Sequence, residues 1–108
     1  MTKELVLYGR AFACYDQVRA IAYLDGRRVP YRFVDISRDE DAVQRLLSWV
    51  GHLSVPTLFV ACPGDDSPIA EPAALDPRRH IRGQNRGSLI TEPTDEQLKT
   101  FLQQHGLL

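Results

Sequence analysis

Four short apolar runs, each bounded by polar or turn-forming residues, alternate along the chain with segments of helical periodicity. Runs of this length are typical of buried β-strands. The predicted strands are residues 5–8, 31–36, 55–60 and 88–91. The third run opens on Pro56, and a proline at the start of a strand removes an N–H where the sheet needs it least.

Three further segments carry the periodicity or the end signals of amphipathic helices. The first, residues 18–24, combines helix-forming residues with apolar positions on one side. The other two begin at pairs with the spacing of a capping box, which are Ser37 with Glu40 and Thr94 with Gln97. Glycines that follow the apolar pattern predict the three helix ends, at Gly26, Gly51 and Gly106.

The resulting order is β-α-β-α-β-β-α, which predicts an α/β fold with one four-stranded mixed sheet flanked by helices. The first half is a β-α-β unit, for which parallel strands and a right-handed crossover are expected. The second half is a hairpin followed by a helix. Residues 62–87 separate the two hairpin strands and contain four prolines. Because hairpin loops usually have two to about five residues, this segment is a long insertion within what we expect to be one domain, residues 1–108.

Composition and charge argue against some classes of function but do not identify one. With 44% hydrophobic and 25% charged residues, the chain has the composition of a globular domain. A formal net charge of -1 argues against binding nucleic acid or an anionic membrane through a strong general field. No apolar stretch approaches the roughly 20 residues that span a bilayer, and residues 1–4 lead into a strand without a signal-peptide core. We therefore expect a cytoplasmic protein.

The chain has two cysteines, Cys14 and Cys62. They are too few for a disulfide framework, and no histidine has ligand spacing to either, so we expect no metal. A free thiol, whose reference pKa is about 8.5, reacts as the thiolate. Cys14 precedes a helix, where the dipole favours an anion; Arg10 adds a positive charge, and Asp16 opposes ionisation. The alternative is an inert small residue, which is the favoured interpretation for Cys62.

The residues from Cys14 onward follow a known motif. Residues 14–24 read C-Y-D-Q-V-R-A-I-A-Y-L, and V-P-Y follows at 29–31. On this stretch the chain resembles the glutaredoxin family, whose members typically read C-P-Y-C-V-R-A-K-x-x-L. Residues 54–56, S-V-P, are similar to the family's T-V-P. Residues 89–94, L-I-T-E-P-T, are similar to the V-L-T-x-P-S of the mycoredoxin branch and depart from the G-G-x-D turn of glutathione-dependent members. The resemblance implies a thioredoxin-like fold.

The resemblance also implies a role for each matching residue. Cys14 takes the place of the nucleophilic cysteine, and Gln17 replaces the second, resolving cysteine. Pro56 takes the place of a cis proline beside the thiol, and the backbone of Val55 that of the partner of an extended thiol peptide. The residues expected to bind the thiol cofactor or substrate are Arg10, Tyr15, Gln17, Ser54, Val55, Pro56, Thr91, Thr94 and Asp95.

Without a resolving cysteine, the resemblance implies a monothiol thiol–disulfide oxidoreductase. Cys14 attacks a mixed disulfide, and a free small thiol releases the product. The implied co-substrate is glutathione or a similar low-molecular-weight thiol, such as bacillithiol or mycothiol, and the implied partners are protein or small-molecule disulfides. One alternative is a redox-inactive binding module that uses the Val55–Pro56 groove and the insertion. Another is an iron–sulfur carrier, whose C-G-F-S motif residues 14–17 do not match.

The insertion contains a basic cluster, which is Arg78, Arg79, His80, Arg82 and Arg86. Acidic residues precede this cluster, and such a run is most often a solvated or self-paired loop. The alternative is that the segment arches over Cys14 and binds the carboxylates of a thiol cofactor or a partner. A nucleic-acid role is disfavoured, because no aromatic residues are interleaved for base stacking.

Overall fold

The computed structural model describes residues 2–12 and 14–108. Within these ranges, four strands and three α-helices follow the predicted order β-α-β-α-β-β-α. In chain order they are β1 (Glu4–Gly9), α1 (Tyr15–Gly26), β2 (Arg32–Asp35), α2 (Glu40–Val50), β3 (Thr57–Ala61), β4 (Leu89–Thr91) and α3 (Asp95–Gln104). A 3-10 turn, Ile36–Arg38, leads into α2. None of the helices in the described ranges is long and apolar enough to cross a membrane.

The strands form one mixed sheet in the order β2-β1-β3-β4. Strands β1 and β2 are parallel, with Val6 opposite Arg32, as expected for a β-α-β unit. Strand β3 runs antiparallel to both β1 and β4, with Leu58 opposite Leu7 on one side and Ile90 on the other. The predicted α/β fold with a four-stranded mixed sheet and flanking helices is confirmed.

Two hydrophobic cores fill the two faces of the sheet, because successive side chains of a strand point to opposite faces. In β1, Leu5 and Leu7 belong to the core that α1 and α3 cover. Val6 and Tyr8 belong to the core that α2 covers, where Tyr8 packs on Phe59 with ring centroids 5.2 Å apart. Burial on both faces holds β1 and β3 in place, so the loops at their ends start from a rigid base.

The start of α2 differs from the prediction. The capping box expected at Ser37 and Glu40 is wrong, because Asp39 is the N-cap and its carboxylate accepts a hydrogen bond from the N–H of Ala42 at 3.1 Å. Ser37 lies in the preceding 3-10 turn, and its N–H donates to the carboxylate of Asp35 at 2.9 Å. Aspartate caps a helix as well as serine does. Two aspartates therefore cap the turn and the helix separately.

The other element ends lie near their predicted positions. The capping box of Thr94 and Gln97 opens α3 with both of its hydrogen bonds, which confirms that prediction. Helix α1 begins at Tyr15, three residues before its apolar periodicity starts. Strand β3 begins at Thr57, directly after Pro56, rather than at residue 55.

The insertion, residues 62–87, is attached to the sheet near both of its ends. The N–H of Ile69 donates to the carbonyl of Val60 in β3 at 2.8 Å. The N–H of Gly83 donates to the carbonyl of Thr91 in β4 at 2.6 Å. The segment therefore follows a defined path against the fold and returns to the sheet just before β4.

Candidate active site

Cys14 stands at the N-terminus of α1. It is the N-cap residue, with extended backbone angles of φ -84° and ψ 169°, and it is exposed. Its carbonyl accepts the first helical hydrogen bond, from the N–H of Val18 at 3.0 Å. Its side chain makes no capping hydrogen bond in the described part of the chain. The thiol donates instead to the carbonyl of Val55, with Sγ 3.5 Å from the oxygen, and only the protonated thiol can make this contact.

The loop that faces the thiol precedes β3, and its Val55–Pro56 peptide bond is cis. Buried hydroxyl groups anchor this loop. Thr57 Oγ1 donates to the carbonyl of Ser54 at 2.8 Å and lies 2.9 Å from Oγ1 of Thr91 in β4. Since Ser54, Thr57 and Thr91 are all buried, the carbonyl of Val55 is held in position beside the thiol. The hydroxyl of Thr91 therefore helps to anchor this loop, through its contact with Thr57.

Gln17 lies where the resemblance places a resolving cysteine, and it is only 2% exposed. Its amide forms a ring of two hydrogen bonds with the backbone of Arg10. The N–H of Arg10 donates to Oε1 at 2.9 Å, and Nε2 donates to the carbonyl of Arg10 at 2.9 Å. Gln17 therefore fastens the loop before Cys14 to the first turn of α1. This is a supporting role within the fold, and contact of Gln17 with a substrate stays a prediction.

Gly9, the last residue of β1, is in close contact with this amide. A Cβ at position 9 would lie 2.6 Å from Oε1 of Gln17 and 2.7 Å from a ring carbon of Phe33. We predict that Gly9→Ala lowers the free energy of unfolding by about 1–3 kcal/mol, because both of these side chains must shift to admit the Cβ. Urea unfolding measures the loss, with Gly26→Ala as the control, since a Cβ at Gly26 meets nothing within 4 Å.

A double-mutant cycle tests whether displacement of Gln17 causes the loss of unfolding free energy in Gly9→Ala. If it does, Gln17→Ala costs less stability in the presence of Gly9→Ala than alone, because the amide has already been displaced. Costs that simply add would contradict this explanation.

Asp16, in the first turn of α1, is part of an ion-pair cluster. Its Oδ1 lies 3.2 Å from Nη2 of Arg19, and its Oδ2 lies 2.5 Å from Nη2 of Arg82 in the insertion. Arg82 Nε lies 3.3 Å from Oε2 of Glu92, which directly follows β4. Asp16 was expected to oppose ionisation of the thiol. In the structure two arginines offset its charge.

Glu92 is a member of this site that sequence reasoning missed. Burial raises the pKa of its carboxyl, and the neighbouring Asp16 acts in the same direction, whereas Arg82 and the Ser54 hydroxyl act against it. Its φ of 47° lies in the left-handed region, which costs a non-glycine residue on the order of 1 kcal/mol. In the sequence, residues 89–94 depart from the G-G-x-D turn of glutathione-dependent members. That departure is the signal that the site differs around Glu92.

Arg10 and Tyr15 lie on the exposed rim around Cys14. Tyr15 is 77% exposed, and the guanidinium of Arg19 lies 5.5 Å from its ring centroid. Arg10 is exposed, and its Nη2 lies 3.4 Å from the carbonyl oxygen of Leu53. Both side chains are therefore accessible to a molecule that approaches the thiol.

Thr94 and Asp95 lie at the start of α3 and are joined to α1 through Arg19. Arg19 Nη2 donates to the carbonyl of Pro93 at 2.8 Å, and its Nε lies 3.9 Å from Oδ1 of Asp95. The hydroxyl of Thr94 accepts a hydrogen bond from within α3 as its cap. The structure thus links the start of α3 to the site through the ion-pair cluster.

The fold disperses the basic cluster of the insertion. Arg82 pairs with Asp16 near the thiol, and Arg78 pairs with Asp76 within the insertion at 3.3 Å. Arg86 is buried and donates to backbone carbonyls. These three arginines bind groups of their own chain, as the self-paired interpretation expects.

Cys62 lies far from the candidate site. It directly follows β3, at the end of the strand opposite Pro56, and it is partly buried. A strand rises about 3.3 Å per residue, so β3 separates Cys62 from the loop that faces Cys14. In the part of the chain that the structure describes, no three or more His, Cys, Asp or Glu side chains are grouped as metal ligands would be.

A mixed sheet with helices on both faces, and an exposed thiol at the N-terminus of the first helix facing the loop before β3, define a thioredoxin-fold protein. The glutaredoxin family model matches residues 5–61, which is more than half of the chain. The chain belongs to the glutaredoxin family. The match extends from β1 to the end of β3 and so includes Cys14 and the Val55–Pro56 loop. No curated protein and no solved structure matches the chain.

Proposed function

We propose that this protein is a monothiol thiol–disulfide oxidoreductase that acts through Cys14 on mixed disulfides of glutathione or a similar low-molecular-weight thiol. The observation that carries the proposal is the exposed Sγ of Cys14 at the N-terminus of α1, 3.5 Å from the carbonyl of Val55. The N-terminus of a helix presents free N–H groups and the positive end of the helix dipole to an approaching anion. Membership of the glutaredoxin family supports the same class of reaction.

The proposed reaction takes place in two exchanges. In the first, the Cys14 thiolate attacks the glutathione sulfur of a mixed disulfide, the substrate sulfur leaves as a thiolate, and Cys14 holds the glutathionyl group. In the second, the thiolate of a free glutathione attacks that group, glutathione disulfide leaves, and the Cys14 thiolate returns. In sum, one free glutathione thiol is oxidised, the substrate sulfur is reduced to a thiol, and the glutathionyl sulfur of the mixed disulfide passes to glutathione disulfide at the same oxidation level.

The placement of the other candidate thiol supports resolution by a small molecule. Cys62 lies beyond the far end of β3, and the position of the family's second cysteine holds Gln17, which is bound to the backbone of Arg10. Cys62 is therefore remote from Cys14, and Gln17 has no thiol. A free thiol in solution therefore has to attack the mixed disulfide.

An extended thiol peptide fits along Val55. The N–H of Val55 makes no hydrogen bond within residues 2–12 and 14–108, and its carbonyl bonds to the thiol that the substrate replaces. A backbone N–H and C=O in this state pair with an extended peptide as in an added strand. Phe12 is 91% exposed and Tyr15 is 77% exposed, and such an apolar rim beside Cys14 suits peptide or protein disulfides.

Intact-mass and peptide-mapping measurements test the proposal directly. On incubation with glutathione disulfide, we predict one glutathionyl group on the peptide that contains Cys14, and its loss when reduced glutathione is added. A Cys62→Ser variant, in which Cys14 is unchanged, is expected to give the same result. An unmodified Cys14, or an adduct that reduced glutathione does not release, would contradict the proposal.

The alternative function is a redox-inactive binding module. The hydrogen bond from the Cys14 thiol to the carbonyl of Val55 favours it, because the thiol makes this contact as a donor, with its proton in place. In that case Cys14 forms no adduct, yet a fluorescently labelled glutathionylated peptide still binds. The two measurements together separate the two functions.

A further inference from the structure

We propose that Arg82 of the insertion is a positioning residue for the thiol chemistry, because it offsets the charge of two adjoining carboxyl groups, that of Asp16 in the first helical turn after Cys14 and that of Glu92. The inference rests on the proposed function, since it concerns the ionisation of the same thiol. Arg82 itself does not touch the sulfur or a substrate in this role. It acts through the two acids that border the site.

The two acids belong to different elements of the fold. Asp16 lies two residues after Cys14, in the first turn of α1. Glu92 follows β4, and its carboxyl lies beside Asp16 and the hydroxyl of Ser54. Ser54 directly precedes Val55, whose carbonyl accepts the hydrogen bond from Cys14. The carboxyl pair therefore borders both the helix that carries the thiol and the loop that faces it.

Arg82 bridges the pair. Its Nη2 lies 2.5 Å from Asp16 and its Nε lies 3.3 Å from Glu92, so two nitrogens of one guanidinium contact the two acids. Arg19 provides a second cation at 3.2 Å from Asp16. Arg19 is shared with Asp95, whose Oδ1 lies 3.9 Å from its Nε, so two arginines pair with the three acids Asp16, Glu92 and Asp95. Removal of Arg82 takes away one of these two positive charges.

The path of the insertion decides the position of Arg82. The N–H of the next residue, Gly83, donates to Thr91 at 2.6 Å, and Thr91 is also part of the hydroxyl pair that anchors the loop before β3. The side chain of Arg82 therefore extends from backbone that is hydrogen-bonded to β4. The loop before β3 is anchored to the same strand, through the hydroxyl of Thr91. The insertion is in this way coupled to the thiol site.

Charged and titratable groups approach this region from every element packed around it. Arg10 comes from the loop before α1, and the others are Asp16 and Arg19 on α1, His52 after α2, Asp76, Arg79, His80 and Arg82 in the insertion, Glu92 after β4 and Asp95 at the start of α3. Of these residues, Arg82 is the cation that contacts both acids. Its removal therefore changes the charge next to Asp16 and next to Glu92 at once.

A negative charge near a thiol disfavours the thiolate. The side chain of Arg82 is 60% exposed, so solvent weakens its influence and the effect at the sulfur is modest. We expect Arg82→Gln to slow alkylation of Cys14 by iodoacetamide at neutral pH by about two- to fivefold, in line with one nearby charge in a mostly aqueous setting. The midpoint of the pH profile for alkylation moves upward, and added salt reduces the difference.

The test uses full-length protein with Cys62→Ser as the background, so that alkylation reports Cys14. Arg78→Gln is the matched control, because it removes an arginine of the same insertion that pairs with Asp76 rather than with the site. Arg82→Lys keeps the charge and is expected to restore most of the rate. Adding Asp16→Asn to Arg82→Gln restores the charge balance and is expected to return the rate toward that of the background.

Several outcomes would overturn the inference. One is an alkylation profile for Arg82→Gln equal to that for Arg78→Gln, and another is a slow rate that Asp16→Asn does not restore, which would indicate a displaced loop instead. If Arg82→Gln does not fold, the variant Asp16→Asn with Glu92→Gln tests the same idea with the opposite sign, and a rate no faster than the background would refute it. Alkylation needs no disulfide substrate, so this result stands apart from the test of turnover.

Discussion

Replacement of Cys14 by serine is expected to abolish turnover of a glutathionylated peptide, with a loss on the order of 10² or more. A hydroxyl has nearly the shape of a thiol but does not ionise at neutral pH, so it supplies no nucleophile and forms no mixed disulfide. Steady-state reduction of the peptide by glutathione, followed by release of the peptide thiol, measures this loss.

The same variant provides its own control for folding. Serine is a preferred N-cap residue, and the side chain of Cys14 makes no capping hydrogen bond in the described residues. Cys14→Ser should therefore keep or slightly raise the melting temperature while turnover is lost. Cys62→Ser is the matched cysteine variant and should retain turnover. Activity in Cys14→Ser comparable to that of the unmodified protein would refute the proposed role of the thiol.

Replacement of Arg86 by methionine is expected to cost about 2–4 kcal/mol of unfolding free energy. Arg86 is 9% exposed, its Nη1 donates to the carbonyl of Trp49 at 2.5 Å, and its Nε donates to that of Ala73 at 2.7 Å. Burial lowers its pKa. In residues 2–12 and 14–108 no carboxylate pairs with it, so these carbonyls are the acceptors that hold the charge. Methionine fills the space but leaves both carbonyls without their donor.

Urea unfolding of Arg86→Met measures this cost. Arg78→Met is the control, because the side chain of Arg78 is 89% exposed and a surface substitution of this kind usually changes stability by less than about 0.5 kcal/mol. Hydrogen exchange adds a local readout, in which residues 62–87 should lose protection first. Equal stability of the two variants would show that Arg86 does not anchor the insertion.

Arg86 and Arg82 attach the insertion to the fold at two different places. Arg86 ties the insertion to the end of α2 through Trp49, and Arg82 ties it to α1 through Asp16. If the insertion is loosened by Arg86→Met, the ion pairs of Arg82 weaken as well, and alkylation of Cys14 should slow in the direction expected for Arg82→Gln. The insertion thus affects both stability and the thiol.

Local pattern predicted most of the fold. The four strands were located by their apolar runs, and the capping box of Thr94 and Gln97 by its spacing, because each depends on residues close together in the chain. The start of α2 failed for a reason that is also local. Ser37 and Asp39 both suit a cap, and spacing alone favoured the serine, whereas the carboxylate of Asp39 caps the helix.

The candidate site was predicted less completely. The motif located Cys14 and the Val55–Pro56 loop, because both belong to a short recognisable stretch of sequence. It did not show that Gln17 binds the backbone of Arg10. It also did not reveal Glu92, because the importance of that residue depends on which side chains surround it.

The sequence by itself determined the order of the elements, the family and the place of Cys14 at the start of a helix. Periodicity, caps and motifs act over a few residues, and the chain displays them directly. Only the tertiary structure decided that Arg82 meets Asp16, 66 positions away, and that Arg86 meets Trp49, 37 positions away. These contacts depend on the path that residues 62–87 take over the fold. Because this insertion shows no helix or strand periodicity, its path could not be predicted from the sequence.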